Sequence, residues 1–218
     1  CRRHINEKGR YIMEDKFDSA ALLMPTVALR GLVGFPGMQV HFDVGREKSI
    51  DALKAALSCD RKIFLTAQKD IAVVAPDFND LYKLGVVATV SRVAKLPGEG
   101  DIVRVSVKGM YRARLNGIVS SEPHLVGAIR ACAIRKYDRE NEYGQALIRS
   151  AKSIFEGYAQ SAPQLSPDVV LAVLGFDHPG DMADFIAGNI ALEFSDRQSV
   201  LEELDPIKRL EKLCVLLL

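Results

Sequence analysis

The chain has 218 residues, of which 48% are hydrophobic and 26% charged, and its formal net charge is +1. This balance is ordinary for a folded globular protein and excludes disorder over most of the length. The small net charge also excludes a strong overall field that would attract nucleic acid or an anionic membrane. The four cysteines form no CxxC pair, which favours buried thiols in a reducing compartment over a disulfide framework.

The ends of the chain predict neither a secretory signal nor a membrane anchor. Residues 1–10 are basic and polar, and the uncharged stretch 19–29 is too short to cross a bilayer. We therefore expect a cytoplasmic protein. Because the first residue is not methionine and the last residues, 215–218, are all apolar, we interpret the chain as a fragment of a longer protein.

The first half of the chain predicts a β-sheet. Its apolar residues are mostly β-branched and are separated by turn residues, as in strands. The predicted strands begin near Val27 and continue at 62–67, 85–95, 101–108, 111–118 and 124–133. The linker 96–100 (LPGEG) predicts a hairpin, and Gly109 is expected to end one strand. One helix is predicted at 45–57, because Ile50, Leu53 and Leu57 would share a face.

The second half predicts helices, since its apolar residues recur at helical spacing from residue 138 onward. Ser166, His178 and Asp205 each precede a proline, a pattern typical of a helix start. We therefore predict the α+β class, with a small twisted β-barrel or sandwich followed by a bundle of four or five helices. The predicted boundaries are a variable extension at 1–24, a β-rich subdomain at 25–135 and a helical subdomain at 136–218.

The sequence carries no motif for covalent chemistry. The phosphate-binding GxxxxGK[ST], the dinucleotide-binding GxGxxG and the hydrolase GxSxG patterns are all missing. The histidines are dispersed, so no metal site is predicted. Ser120 and Ser121 lie close to His124 in sequence, but no third member of a triad is evident. We therefore predict no catalytic, cofactor-binding or metal-binding residue in this chain.

One loop combines large apolar side chains with glycine and proline. Because loops normally lie at the surface, these side chains are candidate contacts for unfolded polypeptide. The candidate residues are Leu32, Val33, Phe35, Pro36 and Met38. The alternative is that the loop folds under the sheet and fills its core, and the sequence leaves both interpretations open.

A basic cluster in the predicted hairpin is the one candidate for nucleic-acid binding. It consists of Arg104, Lys108, Arg112 and Arg114, with Tyr111 among them. Alternation along a strand also places charges on its solvated face, and acidic residues nearby dilute the field. We favour this second interpretation, in which the cluster is the outer face of a hairpin.

An ordered series of short blocks resembles the amino-terminal domain of Lon proteases. The blocks lie at 25–30 (PTVALR), 35–38 (FPGM), 44–50 (VGREKSI), 66–70 (TAQKD), 80–85 (DLYKLG), 95–97, 107–109, 112–114 (RAR), 177–180 (DHPG) with 183–184, and 205–206 with 209–210. The resemblance covers residues 22–218, while residues 1–21 match no known block. Gly37 departs from the pattern, because many members have a bulkier polar residue there.

The resemblance implies a PUA-like β-fold and a role in selecting unfolded or degron-bearing proteins. It also implies assembly into a homo-hexamer. The ATPase module, which would use ATP and Mg, and the protease module with its serine–lysine dyad would lie outside this chain, so the segment itself is not expected to be an enzyme. Two alternatives stay open, a freestanding Lon-like adaptor without an ATPase and an RNA-binding β-barrel.

Overall fold

A computed structural model describes residues 21–95 and 102–218 as a mixed β-sheet with six helices. The strands are β1 (Leu22–Leu29), β2 (Gln39–Val44), β3 (Lys62–Ala67), β4 (Leu84–Lys95), β5 (Val103–Ser120) and β6 (Val126–Ala131). The helices are α1 (Glu47–Leu57), α2 (Glu142–Ser161), α3 (Pro167–Leu174), α4 (Pro179–Asn189), α5 (Phe194–Glu202) and α6 (Pro206–Leu217). This confirms the α+β class and the single helix within the sheet-rich half.

The sheet closes on itself through its longest strand. Its order is β2-β5-β4-β3-β1-β6, and β5 pairs with β6 as well. The 18 residues of β5 allow this, because its first part pairs with β2 and β4 while its last part pairs with β6. Among the paired strands of the described residues, only β1 and β3 run parallel to each other. Helix α1 lies between them in sequence and packs against both.

The predicted strand break at Gly109 is wrong. Strand β5 continues through this residue, with a register shift against β4 at Val87/Ala88. A Cβ atom at Gly109 would lie 2.1 Å from the carbonyl oxygen of Phe35, far inside the contact distance. Glycine is therefore needed at position 109 because the backbone of Phe35 lies against the strand there. Gly109 does not form a turn.

The helix starts predicted from Ser-Pro, His-Pro and Asp-Pro pairs are confirmed. The side chains of Ser166 and His178 accept hydrogen bonds from first-turn amides of α3 and α4. Asp205 accepts two, from the amides of Ile207 and Lys208, at 3.0 and 3.3 Å. Each cap satisfies amide groups that the helix itself leaves without a partner.

The apolar interior of the described residues has three parts. The first lies between α1 and the sheet and includes Leu53. The second joins the sheet to the helices and contains Phe155 and Met182. The third is formed mainly by strand residues, among them Phe64 and Leu115. Within the described part of the chain, no helix is long and apolar enough to cross a membrane.

The predicted extension at 1–24 falls mostly outside the described residues. Strand β1 already begins at Leu22, which pairs with Ile129 of β6. The other predicted boundary, at 135/136, falls between the end of β6 and the start of α2 at Glu142.

Candidate functional site

The apolar loop predicted as a binding surface lies largely inside the protein. Val33 and Phe35 are only 5% and 1% exposed and belong to the core that joins the sheet to the helices. The backbone holds the loop there, because the amide of Gly37 donates to the oxygen of Gly109 at 3.0 Å and the amide of Gly109 donates to Met38 at 2.9 Å. The expectation that Val33 and Phe35 are surface contacts is therefore corrected, since the loop pairs with β5 and turns them inward.

The remaining loop candidates are partly accessible. Leu32, Pro36 and Met38 are half-buried. Met38 also packs on α4, since a Cβ atom added at Gly188 would lie 2.8 Å from its Cε. The loop thus forms part of the joint between sheet and helices, and a binding role for these three residues stays a prediction.

The basic cluster is not one solvated face, because Arg112 is 1% exposed. Its Nη1 and Nη2 donate to the two carboxylate oxygens of Asp184 in α4 at 2.7 and 2.6 Å, and its Nε donates to the oxygen of Leu201 at 2.8 Å. The register shift at Val87/Ala88 leaves Met110 as an extra residue in β5, so Arg112 points to the face opposite that of Arg104, where the helices cover it. At the open end, Arg104 forms a two-bond pair with Asp43.

A second buried arginine shares the same carboxylate. Arg209 of α6 donates to Asp184 Oδ2 at 3.1 Å and to the oxygen of Glu203 at 2.8 Å. Burial lowers the pKa of Arg209, while the nearby Asp184 carboxylate opposes that shift. This arrangement joins β5, α4 and α6 and leaves the RNA-binding alternative without its central arginine.

An open apolar cleft lies at the start of α1, and we call it the α1 cleft. Its volume is about 490 Å³. Its apolar walls come from the loop before β4, from the end of β5 and from the segment before β6. The apolar lining residues are Ala28, Val74, Ala75, Pro76, Phe78, Ile118 and Leu125. Val74 is 75% exposed, so the cleft presents a large apolar side chain directly to solvent.

Arg46 occupies the polar side of the α1 cleft. Its Nη2 donates to the oxygen of Ala28 at 2.5 Å, and its Nη1 donates to Gln68 Oε1 at 3.3 Å and to the oxygen of Val74 at 3.4 Å. Burial lowers the pKa of Arg46, and the charge of Arg30 lowers it further. Three neutral oxygens thus hold this guanidinium in place beside the cleft.

Gln68 fixes the loop that forms one wall of the cleft. It is fully buried, and its Nε2 donates to the oxygens of Asp70 and Val73 at 2.6 and 2.5 Å. Arg30 also donates to the oxygen of Val73, at 3.2 Å. The side chains of Gln68 and Arg30 thus hold this loop through its backbone oxygens. The side chain of Val74 is not used for this and faces solvent.

The sequence alone does not predict this cleft. Its residues come from four separate segments that only the fold brings together. The available signals were the block 44–50 and the block 66–70, which contain Arg46 and Gln68, and the apolar stretch 71–76 that follows Asp70. Residues 21–95 and 102–218 contain no group of three or more potential metal ligands.

Comparisons with solved structures define the class of the fold. The N-terminal domain of Mycobacterium avium complex Lon protease superposes with a TM-score of 0.73 at 17% identity, covering 90% of this chain and 98% of that one. The Lon N-terminal domain protein from Xanthomonas campestris superposes with a TM-score of 0.62 at 16% identity, covering 89% of this chain and 98% of that one. The fold is that of Lon N-terminal domains.

The family model described as "ATP-dependent protease La (LON) substrate-binding domain" matches residues 24–218, and the chain belongs to this family. Lon protease of Desulforamulus reducens is 39% identical over 194 residues, which is 88% of this chain and 23% of that protein. Lon protease of Escherichia coli K12 is 36% identical over 199 residues, which is 91% of this chain and 25% of that protein. The chain thus spans about a quarter of the length of these relatives.

Proposed function

We propose that the chain captures unfolded or degron-bearing polypeptides in the α1 cleft and presents them to an ATP-dependent protease. The observation that carries the proposal is the open apolar cleft of about 490 Å³, with Val74 exposed at its mouth. An apolar side chain exposed at the edge of a concave apolar surface is typical of a surface that a partner covers. Unfolded polypeptides offer suitable partners, because they present apolar side chains that folded proteins bury.

The geometry of the cleft suits weak and tolerant recognition. Its apolar walls are loop segments and strand ends, which accept side chains of varied shape. The start of α1 adds a polar side to the cleft, with Arg46, Lys48 and Ser49. Ordering a flexible peptide costs free energy, which keeps affinity modest. We expect dissociation constants on the order of micromolar for a single apolar segment.

Further parts of the proposal rest on the family and on the sequence. The relatives are whole Lon proteases, which supports a longer parent protein with an ATPase module using ATP and Mg, a protease module and a homo-hexameric, cytoplasmic assembly. We propose a PUA-like barrel for residues 25–135 and a helical bundle for 136–218, in line with the closed strand order and the shared helical core. Leu32, Pro36 and Met38 are proposed as a secondary contact.

A pair of exposed apolar residues tests the α1 cleft. Val74→Asp places a charge at the cleft, and Leu171→Asp makes the same change on α3, where the side chain is 67% exposed. Fluorescence anisotropy with a labelled, unstructured apolar peptide should show at least tenfold weaker binding for Val74→Asp. Leu171→Asp should bind like the unmodified chain. Equal affinity for all three proteins would remove the cleft from the proposal.

A further inference from the structure

Strand β2 (Gln39–Val44) has a neighbouring strand on one edge only. It pairs with β5, whereas every other strand of the described residues has at least two neighbouring strands. Because successive residues of a strand direct their backbone groups to opposite edges, every second residue of β2 presents its amide and carbonyl away from the sheet. Within residues 21–95 and 102–218, no backbone group outside β5 forms a hydrogen bond with the backbone of 39–44. The free edge of β2 therefore offers a row of unused donors and acceptors.

This edge lacks the features that usually protect a free strand edge, which are lysine, proline, a bulge or a covering segment. The sequence of β2 (QVHFDV) contains neither lysine nor proline, and no register shift interrupts its pairing with β5. Its charged side chain, Asp43, is bound to Arg104 of β5 through two hydrogen bonds of 2.8 Å. His41 is likewise bonded to Ser106 of β5, at 2.7 Å. These two polar side chains are thus engaged by β5 and do not block the free edge.

The other face of β2 provides apolar contacts beside the free edge. Val40 and Phe42 are half-buried and pack against the core between α1 and the sheet. A cavity of about 270 Å³ lies along the strand, and Phe42 and Val44 line it together with Val27 and Leu29 of β1. An added strand would place alternate side chains on this apolar face.

The free edge is contiguous with the α1 cleft. Strand β2 ends at Val44 and α1 begins at Glu47, so the strand leads directly to the polar side of the cleft. Arg46 and Ser49 line both the cavity beside β2 and the α1 cleft. One extended polypeptide can therefore contact both surfaces.

We propose that β2 is a docking edge, to which an unfolded or degron-bearing polypeptide adds as a further strand while its neighbouring apolar side chains enter the α1 cleft. Main-chain hydrogen bonds provide affinity in this mode and depend little on sequence, because every residue except proline has the same amide and carbonyl groups. A folded protein has already paired these groups within its own helices and sheets. This inference rests on the proposed function and specifies how the polypeptide is held.

The first test uses labelled peptides in which valine and serine alternate, with one phenylalanine at an end. The apolar face and the α1 cleft then fix the register and direction of the peptide on the sheet. One peptide is unmodified, and two carry three N-methyl groups each, on the valines or on the serines, which removes the amide donors of one edge. Fluorescence anisotropy with the 218-residue chain should show at least tenfold weaker binding for one N-methylated peptide and binding within threefold of the unmodified peptide for the other.

The outcomes separate this inference from the proposed function. Equal affinities of the two N-methylated peptides would overturn the docking edge, because pairing with β2 uses only one edge of the added strand. The proposed function would remain intact in that case, since side-chain contacts in the α1 cleft do not require these amides. Failure of the unmodified peptide to bind would instead contradict the proposed function itself.

Amide hydrogen exchange measured by NMR locates the new hydrogen bonds. On addition of the unmodified peptide, alternate residues of β2 should exchange at least tenfold more slowly. Exchange in β6 should not change, because β6 already pairs with β1 and β5. Unchanged exchange throughout β2 would overturn the proposal. Slow exchange of these amides in the chain alone, lost on dilution, would assign the edge to a second copy of the chain and would also overturn it.

A pair of lysine variants tests the position. Val40→Lys introduces into β2 an inward-pointing charge of the kind that protects natural edges, and it should weaken binding of the unmodified peptide at least tenfold. Val170→Lys makes the same change at a half-buried valine of α3 and should bind within twofold of the unmodified chain. Undiminished binding by folded Val40→Lys would contradict the docking edge. Thermal unfolding verifies that both variants are folded, and if Val40→Lys is not, the N-methylated peptides decide with the unmodified chain.

Discussion

Arg112 and Asp184 lie 72 positions apart in sequence and form a buried pair with two hydrogen bonds of 2.7 and 2.6 Å. One residue belongs to β5 and the other to α4, so the pair links the sheet to the helices. Arg209 adds a second cation to the same carboxylate. Since the carboxylate serves both arginines, its removal leaves two buried charges without an anion.

We predict that Asp184→Asn destabilises the chain by about 3–5 kcal/mol, because breaking a buried ion pair leaves its partners uncompensated. Urea unfolding followed by circular dichroism measures the change. Asp43→Asn is the matched control, because Asp43 pairs with Arg104 at the surface. It should change stability little, because exposed ion pairs contribute little to folding. Similar losses of stability in both variants would contradict the claim that burial makes the Asp184 ion pair more important for stability than the Asp43 pair.

Two glycines of β5 provide a second matched pair. Gly109→Ala forces a Cβ atom to within 2.1 Å of the Phe35 oxygen, whereas a Cβ atom at Gly117 meets nothing within 4 Å. We expect Gly109→Ala to cost at least about 2 kcal/mol, since the loop must move away from β5. Gly117→Ala should change stability by less than about 1 kcal/mol. Chemical denaturation of both variants checks this, and a tolerated Gly109→Ala would contradict the close loop contact.

The loop residues should separate stability from binding. Phe35→Ala removes a buried ring from the joint between sheet and helices and should cost about 3–5 kcal/mol. Met38→Ser changes a half-buried side chain and should cost less. Thermal unfolding ranks the two variants, and peptide binding to folded Met38→Ser tests whether the loop is a secondary contact. If Phe35→Ala is as stable as the unmodified chain, the conclusion that Phe35 is buried in the core is contradicted.

The cap of α6 should make stability depend on pH. Burial raises the pKa of Asp205, but the amides of Lys208 and Ile207 and the side chain of Arg135 outweigh it, so the net shift is downward. A carboxyl with a lowered pKa in the folded state adds stability above its unfolded value of about 3.9, and this stability is lost as pH falls through the folded value.

Asp205→Asn keeps a capping oxygen and should flatten the acid side of the stability profile below about pH 4. Asp205→Ala should in addition lose about 0.5–2 kcal/mol at neutral pH. Unfolding measured from pH 3 to pH 7 separates the two effects. An unchanged profile in Asp205→Asn would mean that this carboxyl does not contribute to the acid limb.

Much of the fold was predictable because local signals agreed with the tertiary structure. The strand at 62–67 is a short apolar run bounded by turn residues, and it is found with the same bounds as β3. The proline pairs marked three helix starts, since a cap and a proline act locally. Strand β2 was missed, although Val40, Phe42 and Val44 alternate, because the segment follows a turn-rich loop and every second residue is polar.

The site was less predictable because it depends on long-range contacts. Arg112 looked like a surface residue, since nothing in a strand pattern shows that helices from the other half cover one face. The sequence left open whether Phe35 is exposed or buried, because the contact that buries its loop is made by Gly109, 74 positions later. The sequence around Val74 does not predict a binding site. Val74 becomes part of a cleft only because the fold brings Ile118 and Leu125 to the same cleft.

Site-specific crosslinking tests the central claim most directly. An unstructured apolar peptide with a photoreactive residue is irradiated with the 218-residue chain, and mass spectrometry locates the attachment points. We predict attachment within residues 46–49, 74–78 and 118–125, which line the α1 cleft. Attachment confined to α3 or to the loop 32–38, with none at these three segments, would contradict the account.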